Sequence, residues 1–296
     1  MDSSDSMDRP PGPGEDEAGG KIAVPKSLPM MFLVRNGYLP DLARPTTFNE
    51  LMQVRKLTDR NPLYPVLADK IRVKDYVAER LGPEWVIPTL WYGDTLPDTI
   101  EWPTPFVLKS SHGSQQCLFV RSPDVDWAQM RRKAMSWLKK PYGQLLHEWL
   151  YSQVERRLLI EPYVGDVTCL PVDYKFFVFG GRAEYIQVDT DREHAHKRTM
   201  FDRNWERLPL RLRYPIDPRP IEKPPSLPRL IEAAEELSRG FDFVRVDFYE
   251  VAGQRLFGEM TFYANSGLDR FTPASFDKQF GAHWLAAART RAKPSS

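Results

Sequence analysis

The chain has 296 residues, 41 basic and 40 acidic side chains for a formal net charge of +1, and is 42% apolar and 27% charged. That length allows one large domain or two small ones with a substantial core, and the composition is that of an ordinary soluble globular protein. Apolar stretches such as Met30–Val34 are far too short to span a bilayer, the acidic start excludes a secretory signal, and Cys117 and Cys169 make neither a disulfide framework nor a zinc site, so the expected compartment is the cytoplasm.

Residues 1–28 are rich in Asp, Ser, Pro and Gly and are read as a disordered acidic tail. Residues 1–20 hold six acids against Arg9 alone, so the rest of the chain carries 40 bases against 34 acids. Such an excess suits an anionic small molecule such as a nucleotide and falls well short of a nucleic-acid footprint. Thr47 with Glu50 three residues on is a capping-box signature opening a helix over Phe48–Leu57. Leu67, Ile71, Val77 and Leu81 share a stripe that predicts a second helix over Leu67–Leu81. Short β-rich runs follow at Val86–Trp91, Pro105–Lys109 and Gln116–Arg121. Asp126 then caps a helix with apolar positions Trp127, Met130, Ala134 and Leu138, and Gln144–Val154 reads as another.

The second half is more β-like. Strands are expected at Leu158–Val164, Asp173–Phe179 and Arg182–Asp189, the last two joined at Gly180-Gly181. Pro209–Pro228, with seven prolines, reads as a loop, and Leu227–Arg239 as a helix stopped by Gly240. Phe243–Val251 and Arg255–Phe262 form a hairpin, and a helix over Pro273–Ala288 precedes a short disordered tail from Arg289. Mixed strands and helices with several antiparallel hairpins indicate an α+β fold.

The last hairpin carries Arg245, Asp247, Glu259 and Thr261. A three-residue turn, Ala252-Gly253-Gln254, places Asp247 opposite Glu259 and Arg245 opposite Thr261, all on one face. A two-residue turn, Ala252-Gly253, pairs Asp247 with Gly258 and sends the carboxylates to opposite sides. Opposed carboxylates call for a cation between them, and Mg²⁺ takes one or two carboxylates together with nucleotide phosphates; a merely solvated hairpin face is the plainer alternative. Phe106–Lys109 is a strand ending in lysine before the turn Ser110-Ser111-His112-Gly113-Ser114. Amides there can cradle a phosphate while the lysine supplies charge, although an ordinary surface hairpin has the same look. Lys70 and Lys74, one helical turn apart, project together toward an anion or simply toward solvent. Glu161-Pro162-Tyr163-Val164, ahead of Asp173-Tyr174-Lys175, suits a crossover between lobes that holds a planar base. His194 and His196 lack a nearby third metal ligand.

Taken in order, these pieces resemble an ATP-grasp enzyme, and the blocks Thr47-Phe48-Asn49-Glu50, Leu67-Ala68-Asp69-Lys70, Asp173-Tyr174-Lys175-Phe176-Phe177, Phe243-Val244-Arg245-Val246-Asp247 and Gly258-Glu259-Met260-Thr261 are similar to its TupA-like branch, over about residues 30–285. The resemblance implies ATP and Mg²⁺ as cofactors, with two α+β lobes holding nucleotide between antiparallel sheets. It implies an N-terminal helical, partial lobe over 29–104, a small lobe with the phosphate loop over 105–164, and a C-terminal lobe with the metal hairpin over 165–288. Lys70 and Lys109 resemble the phosphate lysines, Ser111, Gly113 and Ser114 the mobile phosphate loop, and Glu161, Tyr163 and Val164 the adenine hinge. Asp173 sits where the family often has a ribose ligand, with Lys175 as a further phosphate contact. Arg245 and Lys109 are the implied catalytic cations, and Asp247 and Glu259 the metal carboxylates. Thr261 stands where the family commonly has Asn, with Asn265 nearby as a substitute oxygen, and Ser114-Gln115-Gln116 stands where a second loop glycine is commonly expected.

The activity so implied is ATP-dependent, ADP-forming ligation: a carboxylate is activated as an acyl phosphate and an amine attacks it. The branch is associated with teichuronopeptide and other surface polysaccharides, which suggests a polymer-precursor carboxylate and association with polysaccharide biosynthesis enzymes. A glycosyltransferase of the same pathways, or a degenerate nucleotide-binding protein without turnover, are the competing readings.

Overall fold

The computed structural model describes residues 23–291. The tail readings over 1–22 and 292–296 lie outside the described residues. A helix not expected from the sequence, α1 (Ser27–Asn36), starts inside the stretch read as tail and buries Leu28 and Phe32. It is followed by α2 (Phe48–Thr58), where Thr47 and Glu50 form the expected capping box: the Glu50 amide donates to Thr47 Oγ1 at 3.2 Å and the Thr47 amide to Glu50 Oε2 at 3.1 Å.

The single helix expected over Leu67–Leu81 is two, α3 (Leu63–Ala68) and α4 (Val73–Leu81). Asp69 breaks it. Its extended backbone ends α3, and its side chain accepts from the amides of Ile71 and Arg72, the groups a continuing helix would bond to carbonyls. Lys70 therefore sits in the turn and Lys74 in α4, not one above the other on one helix. The expected strand Val86–Trp91 is mostly irregular, after a 3₁₀ turn at Pro83–Trp85, and only β1 (Trp91–Gly93) pairs.

The strands β2 (Phe106–Ser110), β3 (Cys117–Val120) and β4 (Leu158–Pro162) complete a four-stranded antiparallel sheet in the order β1-β4-β2-β3. Period-2 alternation divides it. Phe106, Leu108 and Ile160 pack with Trp127 and Ala134 of α5 (Trp127–Lys139), which Asp126 caps as expected. Val107, Lys109, Phe119 and Glu161 face the other way, in adjoining register positions. The helix expected over Gln144–Val154 is a 3₁₀ turn at Gln144–Leu146 and a short α6 (Trp149–Ser152), separated by His147 in the left-handed region.

The second sheet runs β10-β9-β5-β6-β7, all antiparallel, from β5 (Asp173–Phe179), β6 (Arg182–Thr190), β7 (Lys197–Asp202), β9 (Phe243–Val251) and β10 (Gln254–Thr261). The Gly180-Gly181 turn is where it was expected, whereas β7 was not expected from the sequence. Within the proline-rich segment, β8 (Arg211–Leu212) pairs with β11 (Phe271–Thr272). One face of the large sheet packs against α7 (Leu227–Leu237) and α4; the other lies partly under α2 and α8 (Ser275–Arg291), which runs past the expected end at Ala288. There Phe48 of α2 meets Phe177, Phe179, Phe243, Phe280 and Trp284, so the N-terminal helices share one core with the large sheet. Gly281 permits the approach, because a Cβ there would lie 2.2 Å from the Thr46 carbonyl oxygen. The architecture is α+β with antiparallel sheets.

Candidate active site

The β9–β10 hairpin decides the site, and its register combines both alternatives. The turn is the two-residue Ala252-Gly253, with Gln254 opposite Val251, which by itself would pair Asp247 with Gly258. A β-bulge between Phe257 and Glu259 adds one residue, and from there Glu259 lies opposite Asp247 and Thr261 opposite Arg245. Gly258 is the extra residue, and a Cβ on it would stand 3.1 Å from the Asp247 carbonyl oxygen.

Arg245 joins the group. It grips Asp247 bidentately at 2.7 and 2.8 Å, and its Nη2 also donates to Glu259 Oε1 at 2.8 Å and Thr261 Oγ1 at 3.0 Å. The Thr261 hydroxyl donates in turn to Glu259 Oε1 at 3.0 Å. On the neighbouring strand, Lys175 donates to Asp247 Oδ2 at 2.6 Å and also to Asp173, whose carboxylate Arg192 meets at 3.1 Å. Burial raises the Asp247 carboxyl to about 6 against the pull of Arg245 and Lys175. At Glu259 burial pushes the same way, but Arg245, Lys70 and Lys175 prevail and hold the carboxyl at about 2.

The opposing wall comes from the small sheet. Lys109 donates to Glu161 Oε2 at 2.6 Å, and Lys74 holds the other oxygen of that carboxylate. Burial works against the Lys109 ammonium, yet Glu161 overcomes it and raises its affinity for the proton. The turn after β2 is closed on itself: Ser110 Oγ donates to Gln116 Oε1 at 2.6 Å and accepts from the Gly113 amide at 3.1 Å. Lys70 reaches across to the Gly113 carbonyl at 2.7 Å, and burial lowers its proton affinity.

A cleft of about 550 Å³ lies between these walls, lined by Lys70, Lys109, Gly113 and Ser114 on one side and by Asp173, Lys175, Arg245, Asp247, Glu259 and Asn265 on the other. A smaller, mostly apolar recess of about 110 Å³ shares Lys109, Cys117, Phe119, Leu170, Arg192 and Tyr249 with it, and also meets Ile87, Val107, Tyr163 and Val164. A planar apolar group fits there. Ser111 is the expected site residue that the structure turns elsewhere: its hydroxyl donates to the Glu155 carbonyl at 2.8 Å and accepts from the Arg157 amide, anchoring the loop to the chain entering β4. Glu161 likewise directs its charge to two lysines.

The profile of the TupA-like ATP-grasp family matches residues 50–285. The chain belongs to that family. No curated protein matches the sequence. Solved structures similar to it include the D-alanine–D-alanine ligase from Coxiella burnetii (12% identity, TM-score 0.46, 83% of this chain and 66% of that one) and that from Bacillus anthracis complexed with ATP (13%, 0.42, 78% and 68%). ATP-grasp ligase PsnB complexed with minimal precursor, Mg and ADP is similar at 10% identity (TM-score 0.41, 83% and 65%). Similarity at that level transfers no residue's role.

Within this ATP-grasp chain the departures from pattern have local explanations. Gln116 ties the turn after β2 to Ser110, and Thr261 locks Glu259 to Arg245. The oxygens of Asp247, Glu259 and Asn265 suit a hard cation such as Mg²⁺, because two adjacent carboxylates and a neutral side chain line one cleft, whereas the Thr261 hydroxyl is bonded to Arg245 and Glu259. Among the described residues no three His, Cys, Asp or Glu side chains gather as a metal cage, and no helix is long and apolar enough to cross a membrane.

Tyr249, Arg192, Arg198 and Asp189 also stand on the cleft wall, and none of them was expected there from the sequence. Asp189 and Arg198 pair across β6 and β7 at 2.7 and 3.1 Å, and only recognising β7 as a strand would have placed them. The role of α2 was not expected either. Gln53 donates to the carbonyls of Ser266 and Gly267, and Lys56 to the carbonyl and hydroxyl of Ser266, each at 3.0 Å. These bonds hold the turn Ala264–Gly267, where Asn265 and Ser266 have left-handed backbones.

Proposed function

We propose that this protein is an ATP-dependent, ADP-forming ligase of the cytoplasm, which activates a carboxylate as an acyl phosphate and passes it to an amine, with a surface-polymer precursor as the carboxylate. The observation that supports it best is Asp247 opposite Glu259, both held by Arg245, in one cleft with Lys109 and Lys70. On this reading the apolar recess at Val107, Phe119, Tyr163 and Val164 takes the adenine and Asp173 lies on the ribose side. Lys109 and Lys70, with Lys175 and the Ser114 amide beside Gly113, take the phosphates. Mg²⁺ held by Asp247 and Glu259, with a neutral oxygen from Asn265, supplies charge neutralisation for phosphoryl transfer.

The protein's own part is positioning and electrostatics. Lys109 is fixed by Glu161, so its ammonium is already oriented when the phosphates arrive. Arg245 keeps two carboxylates from separating and adds a positive charge beside the transferring group. Burial of the cleft strengthens each of these interactions relative to water. The two-lobe division at about residues 105 and 165 belongs to the same proposal.

The test uses hydroxylamine to capture an acyl phosphate. Full-length protein is incubated with MgATP, hydroxylamine and a panel of uronic acids, amino acids and short acidic peptides. Carboxylate-dependent hydroxamate with matching ADP supports the ligase. Turnover of UDP-sugars instead would identify a glycosyltransferase, and ATP binding without ADP release on any carboxylate would identify a protein that binds but does not catalyse.

A further inference from the structure

Two cavities lie beyond the phosphate cleft. The inner one, about 340 Å³, is lined by Arg245, Glu259, Thr261 and Lys70, so it adjoins the transferring group on the reading above. The outer one, about 730 Å³, lies between α2 and α6 and meets Lys56, Arg60 and His147. Tyr142, Glu148 and Tyr151 line both.

Glu148 is 5% exposed, and its Oε2 has no hydrogen-bond partner among the described residues. A buried carboxylate oxygen without a partner is costly to keep. Lys56 and the Ser266 side chain act on the carboxylate, and Lys56 directs its ammonium to the Ser266 carbonyl and hydroxyl at 3.0 Å each. The chain is tightly turned here: Gly143 and His147 are both left-handed, and the Glu148 amide donates to the Gly143 carbonyl at 3.0 Å. The walls beside it are aromatic, with Tyr142 and Tyr151 edge to face at 4.9 Å between centroids. A fixed carboxylate among tyrosine rings is a receptor for an ammonium group.

We propose that the paired cavities admit a primary amine, the acceptor substrate, whose ammonium group the Glu148 carboxylate binds and deprotonates. The proposal rests on the ligase reading. The proton passes from the ammonium to Glu148, and the freed nitrogen lone pair attacks the acyl-phosphate carbonyl. The C–N bond forms as the C–O bond to phosphate breaks; phosphate leaves with that electron pair and takes the second nitrogen proton, giving amide, inorganic phosphate and neutral Glu148. Burial supports the step by raising the Glu148 carboxyl to about 7 against the charge of Lys56, which suits a group that must take up and release a proton near neutrality.

Saturation-transfer NMR on the full chain, with n-butylamine and its neutral counterpart n-butanol as probes, tests the site without turnover. The wild type should transfer at least about three-fold more saturation to butylamine than to butanol. Glu148→Gln should reduce butylamine to the butanol level, while Glu148→Asp keeps a weakened preference. Both variants should retain the wild-type response to ATP, which also shows that they fold. Equal transfer to both probes in the wild type, or an unchanged butylamine preference in Glu148→Gln, overturns the proposal. Absence of any ATP response in the wild type contradicts the ligase reading instead, whatever the amine result.

Discussion

One face of the five-stranded sheet performs two unlike tasks at its two ends. Asp173, Lys175, Phe177 and Phe179 alternate on one side of β5, register-matched to Tyr249, Asp247, Arg245 and Phe243 of β9. At the phenylalanine end, α2 and α8 cover the face and the side chains make a dry aromatic core. Two residues further along the same strands the helical cover ends, and the same pleat presents Lys175 and Asp247 to the cleft. The strand pleat fixes which side a residue takes; the tertiary cover decides whether that position suits an apolar ring or a charge. Arg245 marks the boundary, 6% exposed yet bonded entirely to the charged end.

Substitutions at the two ends should separate stability from chemistry. Phe243→Ala leaves a cavity beneath Phe48 and Trp284 and should cost about 3–5 kcal/mol of stability. Denaturant unfolding should show that loss while the ATP affinity of the folded fraction stays at the wild-type value. Asp247→Asn should do the opposite. Removing the charge next to the transferring group should lower ADP release by roughly 10²–10³-fold, or about 2.7–4 kcal/mol, with ATP binding weakened by distinctly less than the rate. A loss of affinity as great as the loss of rate would show that Asp247 serves nucleotide binding only.

Lys109→Met sharpens the comparison from the facing sheet. Losing one charge-assisted phosphate contact should weaken ATP binding by about 1.5–3 kcal/mol, read by titration calorimetry, with the fold retained. The smallest effect is one of pH. Glu259 is held near 2, below its ordinary 4.5, so its contribution to stability is complete above about pH 4.5 and is lost as the pH falls toward 2. The difference in unfolding free energy between wild type and Glu259→Gln should therefore shrink across that window. A difference that is flat from pH 5 to 2 would show that Arg245 and Lys70 do not hold this carboxylate.

Much of the charged end was legible in the sequence, because Arg245, Asp247, Glu259 and Thr261 sit at strand spacing around a glycine turn. The register was not. The two-residue turn and the bulge at Gly258 cancel, and a lone glycine between Phe257 and Glu259 gives no sign of which strand position is extra. The aromatic end reads as core from composition, but its cover by α2 does not. The buried polar residues Asn49, Gln53, Arg55 and Lys56 look like a solvated helix face until the turn they bind is in view. Periodicity also overran Asp69, since a side chain that caps two amides leaves no gap in an apolar stripe. β7 was hidden because Arg198, buried against Asp189, reads as exposed charge.

Thermal unfolding of the full chain titrated with ATP, with and without Mg²⁺, tests the proposal that the cleft between the two sheets is a magnesium–nucleotide site. ATP with Mg²⁺ at 100 times its Kd should add roughly 2.7 kcal/mol to the unfolding free energy, and omitting Mg²⁺ should remove most of that gain. Stabilisation by ATP that is indifferent to Mg²⁺ would contradict the role of Asp247 and Glu259, and no stabilisation by ATP under either condition would contradict the site itself.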